Sequence, residues 1–575
     1  MTSPRERQYT RRDMISRTLL LGGGGALTAL LAACGSAATT TTNPTATVAQ
    51  AGGATAPTSA PGGSGGNVPA TATAPTAVPP SATTGGTGTG KTIPELRVAV
   101  AALPEGMDPL EPSSNVFNRA NYSCFDYLIR LDYANGGKLT PMLATAWQRI
   151  DDRTLEVTLR QGVKFQDGAP FTADDVVYTF NRIITNKDSK LGQANPNFFP
   201  FASVEKLDEY RVRFVGTGTD PIIERRLATP GAQIIHAKYH QQVGAAEFRL
   251  KPLATGPYRL TEFVIGERMT FEAHRDYWGG APAAQKVTFR VIPEVATRIA
   301  AVTNGEVELI TNVPPDQIAA LQGCKNLVVK RKTLTNVHML YYNGKTAPFD
   351  KPAIRQAINY AIDRKTLIDA LWLGNAAQMH GLQFEGEDLY NANRPATAYD
   401  PEKAKALLKE GGYAGEQITY IAASPNYYTN EREVGEAIVG MWQQVGINGK
   451  LLLTELAQKT KAYSTAHVTT ISATSFVGDP EGYLWQPLGP DGTQQKNGYW
   501  TPVGPFNQLG QELRSTLDGG KRTTNFQQML DIFEAEAPGT VLYAPQEAYA
   551  MAANIDWEPY SYYYLDLRPY NFKIK

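Results

Sequence analysis

Three aspartates, Asp167, Asp174 and Asp175, fall within nine positions in FQDGAPFTADDVVYTF, Phe165–Phe180. Carboxylates this close can share a proton in acid–base chemistry or hold a divalent cation. The local pattern gives each of them a structural task instead. Thr172 precedes the helix-like run ADDVVYTFNRII. The Asp175 amide can donate to the Thr172 hydroxyl, and the Thr172 amide can donate back to the Asp175 carboxylate. That is a capping box with Asp in place of Glu. Asp174 and Asp175 also suit the positive end of the helix dipole. Phe171 and Val176 are spaced for a hydrophobic staple. Asp167-Gly168 follows a strand-like run and reads as a turn. A catalytic dyad is the minor reading of this stretch.

Other chemistry-bearing patterns lack their structural setting. GGTGTGKT, Gly85–Thr92, matches a phosphate-binding loop literally. Such a loop needs a buried strand before it and a helix after it. Here AVPPSATT precedes, and the strand-like IPELRVAV follows. GGSGG, Gly62–Gly66, fits G-x-S-x-G without the strand–turn–helix of a nucleophile elbow. His236 and His240 are helically spaced but lack the intervening glutamate of a metalloprotease helix. No metal and no cofactor is expected. Cys124 and Cys324 are as readily small buried residues as a bonded pair, and no disulfide is predicted.

The elements around these motifs begin with an export signal. Arg11 and Arg12 precede the uncharged run TLLLGGGGALTALLAAC, too short and too glycine-rich for a membrane span. The paired arginines resemble a twin-arginine signal, with a Sec-type signal as the alternative. LAAC, Leu31–Cys34, resembles a bacterial lipobox, which makes Cys34 the expected lipidation site; a soluble secreted protein is the other reading. Residues 35–90 are Thr, Ala, Pro, Gly and Ser with almost no charge, and are expected to form a disordered tether with a reach of ~40 Å. From residue 91 onward, strand-like runs (ELRVAVAAL, RTLEVTLRQGVKF, DEYRVRFVG, AQKVTFRVIP) interleave with helix-like ones. The latter include KPAIRQAINYAIDRKTLIDALWLG, PEKAKALLKEGGY and EREVGEAIVGMWQQVGI. The class is α/β or α+β. Balanced charge, 55 basic against 55 acidic residues, argues against a nucleic-acid partner.

The stretch LTPMLATAWQRIDDRTLEVTLRQGVKFQDGAPFTADDVVYTFNRI resembles the signature of family 5 extracellular solute-binding proteins, the dipeptide-, oligopeptide- and nickel-binding components of ABC importers. The resemblance continues in ATGPYRL, HRDYWGG, NGEVELI, LYYNGKTAPFDKPAIRQAINYAIDR and AYDPEKAKALLKEGGY, and covers Leu96 to Lys575. The family's G-T-G-P-Y is Ala254–Tyr258 here, its G-E-V-D is Gly305–Glu308, and an aspartate near the cavity wall is Asn507. The resemblance implies a type II periplasmic-binding-protein-like α/β fold of three lobes, with ligand held in a hinged cleft between lobes I and III. Lobe I is expected over residues 91–128, 253–339 and 550–575, lobe II over 129–252, and lobe III over 340–549.

By the same resemblance, TSFVGDPEGYLW supplies Asp479, expected to meet a ligand ammonium, and Phe476. A loop Asp-Pro that only makes a turn is the alternative. NGYWTPVGPFN offers Tyr499 and Trp500, with core packing equally open. PSSNVFNRANYS offers Asn115, Phe117 and Tyr122, and SPNYYTN offers Tyr427. The resemblance implies a non-enzymatic, monomeric lipoprotein outside the cytoplasmic membrane. Its partners would be a peptide or an oligosaccharide, a permease and its ATPase subunits. An exported hydrolase or a structural surface protein has no comparable support in the residues.

Overall fold

The computed structural model describes residues 91–111, 114–185, 198–424, 427–462 and 468–575, all within the unit Gly85–Lys575. The expected signal, the lipidation site Cys34 and the tether lie outside the described residues.

IPELRVAV forms the strand Ile93–Val100. It lies between two parallel neighbours, Ala284–Val291 and Leu309–Ile310. A strand and not a helix thus follows the phosphate-loop match. Lys91 Nζ donates to the carbonyl of Lys575 at 3.0 Å.

This strand belongs to a twelve-stranded sheet whose continuity rests on one long strand, Gly539–Ala552. Its early residues, Gly539 to Tyr543, pair with Asn336–Tyr342. Its later residues, Gln546 to Ala552, pair with Leu327–Thr333. One half of the sheet runs outward from there through Leu309–Ile310, Ile93–Val100, Ala284–Val291, Arg268–Ala273 and Tyr258–Val264. The other half runs through Asn336–Tyr342, Val468–Thr474, Ile418–Ala423 and Gly449–Thr454.

The first half is packed by Leu96, Val98, Phe271, Phe289, Tyr549 and Trp557. In the second half, Asn336–Tyr342 is buried on both faces, so alternate residues serve two cores. Leu340 and Tyr342 join Ile354, Ile358, Tyr420 and Trp442 on one side. Val337, Met339 and Tyr341 join Trp485, Phe506, Phe526 and Met529 on the other. The Ala254–Tyr258 motif docks against the first half. A Cβ on Gly256 would lie 2.3 Å from the Cys124 carbonyl oxygen, so only glycine fits there. Cys124 itself is a free, buried thiol that burial pushes up to about 12.

A separate four-stranded antiparallel sheet joins Ala144–Arg149, Thr154–Leu159, Arg211–Gly216 and Phe201–Asp208, in that order. The helix Ala173–Ile184 crosses it, burying Val176, Phe180 and Ile183. The Thr172–Asp175 capping box is formed. The Thr172 amide donates to Asp175 Oδ2 at 3.0 Å, and Asp175 Oδ1 also accepts from the Ala237 amide. Asp174 pairs with Lys206 on the surface. Asp167 accepts from the Ala169 amide in the turn at Gly168. The three aspartates therefore hold elements in place. His236 stacks on Phe165, and His240 Nδ1 lies 2.8 Å from the Tyr178 hydroxyl. Among the described residues, no group of three His, Cys, Asp or Glu side chains could hold a metal ion.

Candidate functional site: a tyrosine- and threonine-lined cavity

A cavity of about 720 Å³ opens beside the strand Val468–Thr474. Along one edge this strand pairs with Asn336–Tyr342 over its full length. Along the other edge Ile418–Ala423 reaches only Val468 and Thr469. Among the described residues, no strand pairs with residues 470–474 on that side. Thr470, Ser472 and Thr474 line the cavity, with the Thr470 hydroxyl bonded to the buried Tyr420 hydroxyl. Asn336 Nδ2 donates to Ser472 Oγ and Thr474 Oγ1, each at 2.5 Å.

One wall is the helix Asn115–Asn121, capped by Ser114 Oγ accepting from the Phe117 amide at 3.1 Å. Asn115 and Asn118 line the cavity, and Asn118 donates to the Tyr562 hydroxyl at 3.1 Å. Behind them Arg119 and Glu547 form a buried ion pair at 2.6 Å. Phe117 lines a different, smaller cavity with Leu103 and Arg249. Tyr122 is core: it stacks on Tyr564 at 3.8 Å, with the Arg568 guanidinium 4.7 Å from its ring centre.

A second wall holds Tyr427, Tyr428 and Lys459. Lys459 Nζ is paired with the buried Glu431 and lies 4.8 Å from the Tyr428 ring centre. Desolvation holds the Lys459 ammonium below its ordinary value, against the opposing pull of Glu431. His338 is stripped of water behind Tyr428 and repelled by Lys459, which holds its imidazole down to about 3. Lys459 is the one ionisable cation among the described residues that line the cavity, and no carboxylate is among them.

A third wall is aromatic: Phe198 and Phe476 meet edge to face, with ring centres 4.7 Å apart. Phe476 opens the loop that contains Asp479. Asp479 is 3% exposed, accepts from Arg522 Nη2 at 2.7 Å and from the Glu481 amide at 3.0 Å, and does not line the cavity. Glu387 bonds Ser475 in the same neighbourhood. Burial pushes its carboxyl up to about 8, and the Asp479 charge adds to the shift.

Tyr499 and Trp500 lie away from the cavity lining. Trp500 Nε1 donates to Glu536 at 2.8 Å, and its ring packs edge-on against Phe506. The Tyr499 ring faces Lys345. Asn507 exchanges amide hydrogen bonds with Gln495. Of the residues predicted from sequence, the structure brings Asn115, Tyr427 and Phe476 to one cavity. Sequence reasoning missed Asn118, Tyr341, Lys459, Tyr562 and the strand itself. The hydroxyl-rich, β-branched run VTTISAT was the available signal for that strand.

The fold matches those of solved binding proteins. The structure superposes with a TM-score of 0.75 on a dipeptide-binding protein from Pseudoalteromonas solved with Met-Leu, at 21% identity, covering 84% of this chain and 100% of that one. It superposes at 0.74 on an ABC-transporter-associated periplasmic binding protein from Helicobacter pylori solved with the peptide STSA, at 22% identity, covering 84% and 98%. The architecture is that of a type II periplasmic binding protein. The family model for bacterial extracellular solute-binding proteins, family 5 (middle region), matches residues 138–495. The chain is also 30% identical over 468 residues to di/tripeptide-binding protein 1 of Pseudomonas aeruginosa, covering 76% of this chain and 86% of that protein. The chain belongs to the family 5 bacterial extracellular solute-binding proteins.

Proposed function

We propose that this protein is the capture component of an ABC importer, tethered outside the membrane by a lipid on Cys34. Its ligand is a peptide that lies along residues 470–474 as an added strand. The open strand edge facing the cavity carries this reading. An edge presents N–H and C=O groups in alternation, and an extended peptide complements them through its own backbone. Backbone pairing supplies affinity without requiring particular side chains. The names of the similar proteins, which mention di- and tripeptides and bound peptides, support the same ligand class. The cavity volume falls within the range of about 300–1,000 Å³ usual for small-molecule sites.

Asn115, Tyr427 and Phe476 take ligand-contact roles in this reading, together with Tyr428 and Asn118. Asp479 anchors its loop through Arg522. Tyr122 backs the cavity through the core it shares with Phe198 and Phe476, and Trp500 through the core it shares with Tyr341 and Tyr483, whereas Tyr499 faces Lys345 and Phe117 the neighbouring cavity. The role is capture and release, with no bond made or broken.

Thermal denaturation of the mature protein against panels of short peptides and of cello- and xylo-oligosaccharides tests the ligand class. A peptide present at a hundred times its Kd stabilises by about 2.7 kcal/mol. Methylating its backbone nitrogens removes edge donors and is expected to shrink the shift. Stabilisation by oligosaccharides with none by peptides overturns the peptide reading. Cleavage of a stabilising peptide overturns the capture role.

A further inference from the structure

Phe476 and Val477 pack away from their chain neighbours. The strand before them belongs to the second half of the large sheet, and the helical Tyr483–Trp485 after them pack in the core on one face of it. Their own side chains join the core of the four-stranded sheet, among Phe198, Ile223 and Leu227. The next residue, Gly478, has φ +68°, and Arg225 Nη1 lies 3.0 Å from where a Cβ would stand. The loop thus turns sharply and lets an arginine of the other region approach closely.

Two ion pairs cross the same seam. Arg226 Nη2 donates to Glu481 Oε2 at 2.8 Å, and Arg225 Nη2 donates to Asp388 at 2.7 Å. Arg226 and Glu481 are both almost completely buried, yet each also has a partner on its own side. Arg226 pairs with Asp220 at 2.6 Å, and Glu481 with Arg514 at 2.9 Å. Separating the seam therefore leaves neither charge bare, and the usual penalty for splitting a buried pair is softened. Arg226 Nη1 also donates to the Phe198 carbonyl at 2.8 Å. One guanidinium so holds both the lobe-crossing carboxylate and the backbone of the ring that closes the cavity.

We propose that Phe198 and Phe476 form a selectivity wall, completed only when the four-stranded-sheet region closes on the loop at 476–481, and that Arg226 and Glu481 are its positioning pair. The wall selects peptides that present an apolar or aromatic side chain at that end of the cavity. The two rings face the ligand and each other, so ligand contact and seam closure strengthen one another by linkage. The proposal rests on the peptide reading of the cavity.

Calorimetric titration of the full chain with trialanine and with its two singly phenylalanine-substituted forms, Phe-Ala-Ala and Ala-Ala-Phe, tests it. One of the phenyl-bearing peptides is expected to bind about tenfold or more tighter than trialanine. Phe198→Ala is expected to bring that ratio toward one, while Phe198→Leu, which keeps an apolar side chain, retains part of it. Glu481→Gln weakens the seam without touching ligand. It is expected to lower the affinity of the phenyl-bearing peptide by about three- to tenfold while leaving that of trialanine within about twofold, and so to reduce the ratio. If Glu481→Gln lowers the denaturation midpoint but leaves both affinities within about twofold, the pair is merely structural and the positioning role falls. If wild type binds all three peptides alike, or Phe198→Ala keeps the full ratio, the wall role falls while the peptide reading stands. Absence of binding by every peptide to the wild type overturns the peptide reading and the proposal together.

Discussion

At the residue scale, the main lesson is where Asp479 spends its charge. The sequence marks it as a carboxylate in a loop near the cleft, and the fold gives that carboxylate to Arg522. Removing one partner of a buried pair leaves the other charge uncompensated. Asp479→Ala is expected to cost about 3–5 kcal/mol in urea denaturation, while peptide affinity of the folded fraction changes by less than about threefold. A larger loss of affinity with unchanged stability would return Asp479 to the site. His338 gives a prediction in pH. Its imidazole is held neutral in the fold down to about 3, against an ordinary value of 6.5. The unfolded chain takes up the proton first, so this contribution to stability is complete above about 6.5 and is lost as pH falls from there toward 3. The slope is up to about 1.4 kcal/mol per pH unit. His338→Gln is expected to flatten that acid limb in denaturation midpoints measured between about pH 4 and 7.

At the element scale, local signals were legible wherever the bonds involved are local. Thr172 and Asp175 lie three residues apart, so the cap was readable from spacing, and so was the turn at Asp167. Thr172→Ala is expected to cost about 0.5–2 kcal/mol and to leave ligand affinity unchanged, as read by urea denaturation and titration. If affinity falls with it, the aspartate-rich stretch has a functional role after all. The long strand Gly539–Ala552 was harder to read because it contains Pro545, and proline lacks the N–H a central strand uses. The structure places Pro545 where the strand passes from one main partner to the other, opposite the short strand at Ala376. The ladder changes partners there, so the missing donor is tolerated.

At the scale of the whole molecule, the seam between the four-stranded sheet and the 476–481 loop combines contacts of very different worth. Asp388 is 75% exposed on its side chain, so its pair with Arg225 is screened by water. Asp388→Ala is expected to change stability by less than about 1 kcal/mol and to leave peptide affinity unaffected. A large effect there would show that the seam is held at its rim and not by the buried Arg226–Glu481 pair.

The sequence by itself determined the α/β class, the family and local devices such as the Thr172 cap and the Asp167 turn. These depend on residue type at fixed short separations or on several motifs in order. Only the tertiary structure decided which candidate side chains share a cavity. Phe476 and Asp479 are three residues apart, yet one faces the cavity and the other turns to Arg522. Asn115 and Tyr427 are hundreds of residues apart, yet they line the same cavity. Convergence of that kind is set by chain topology and by competition among buried charges for partners, and neither is encoded in spacing along the chain.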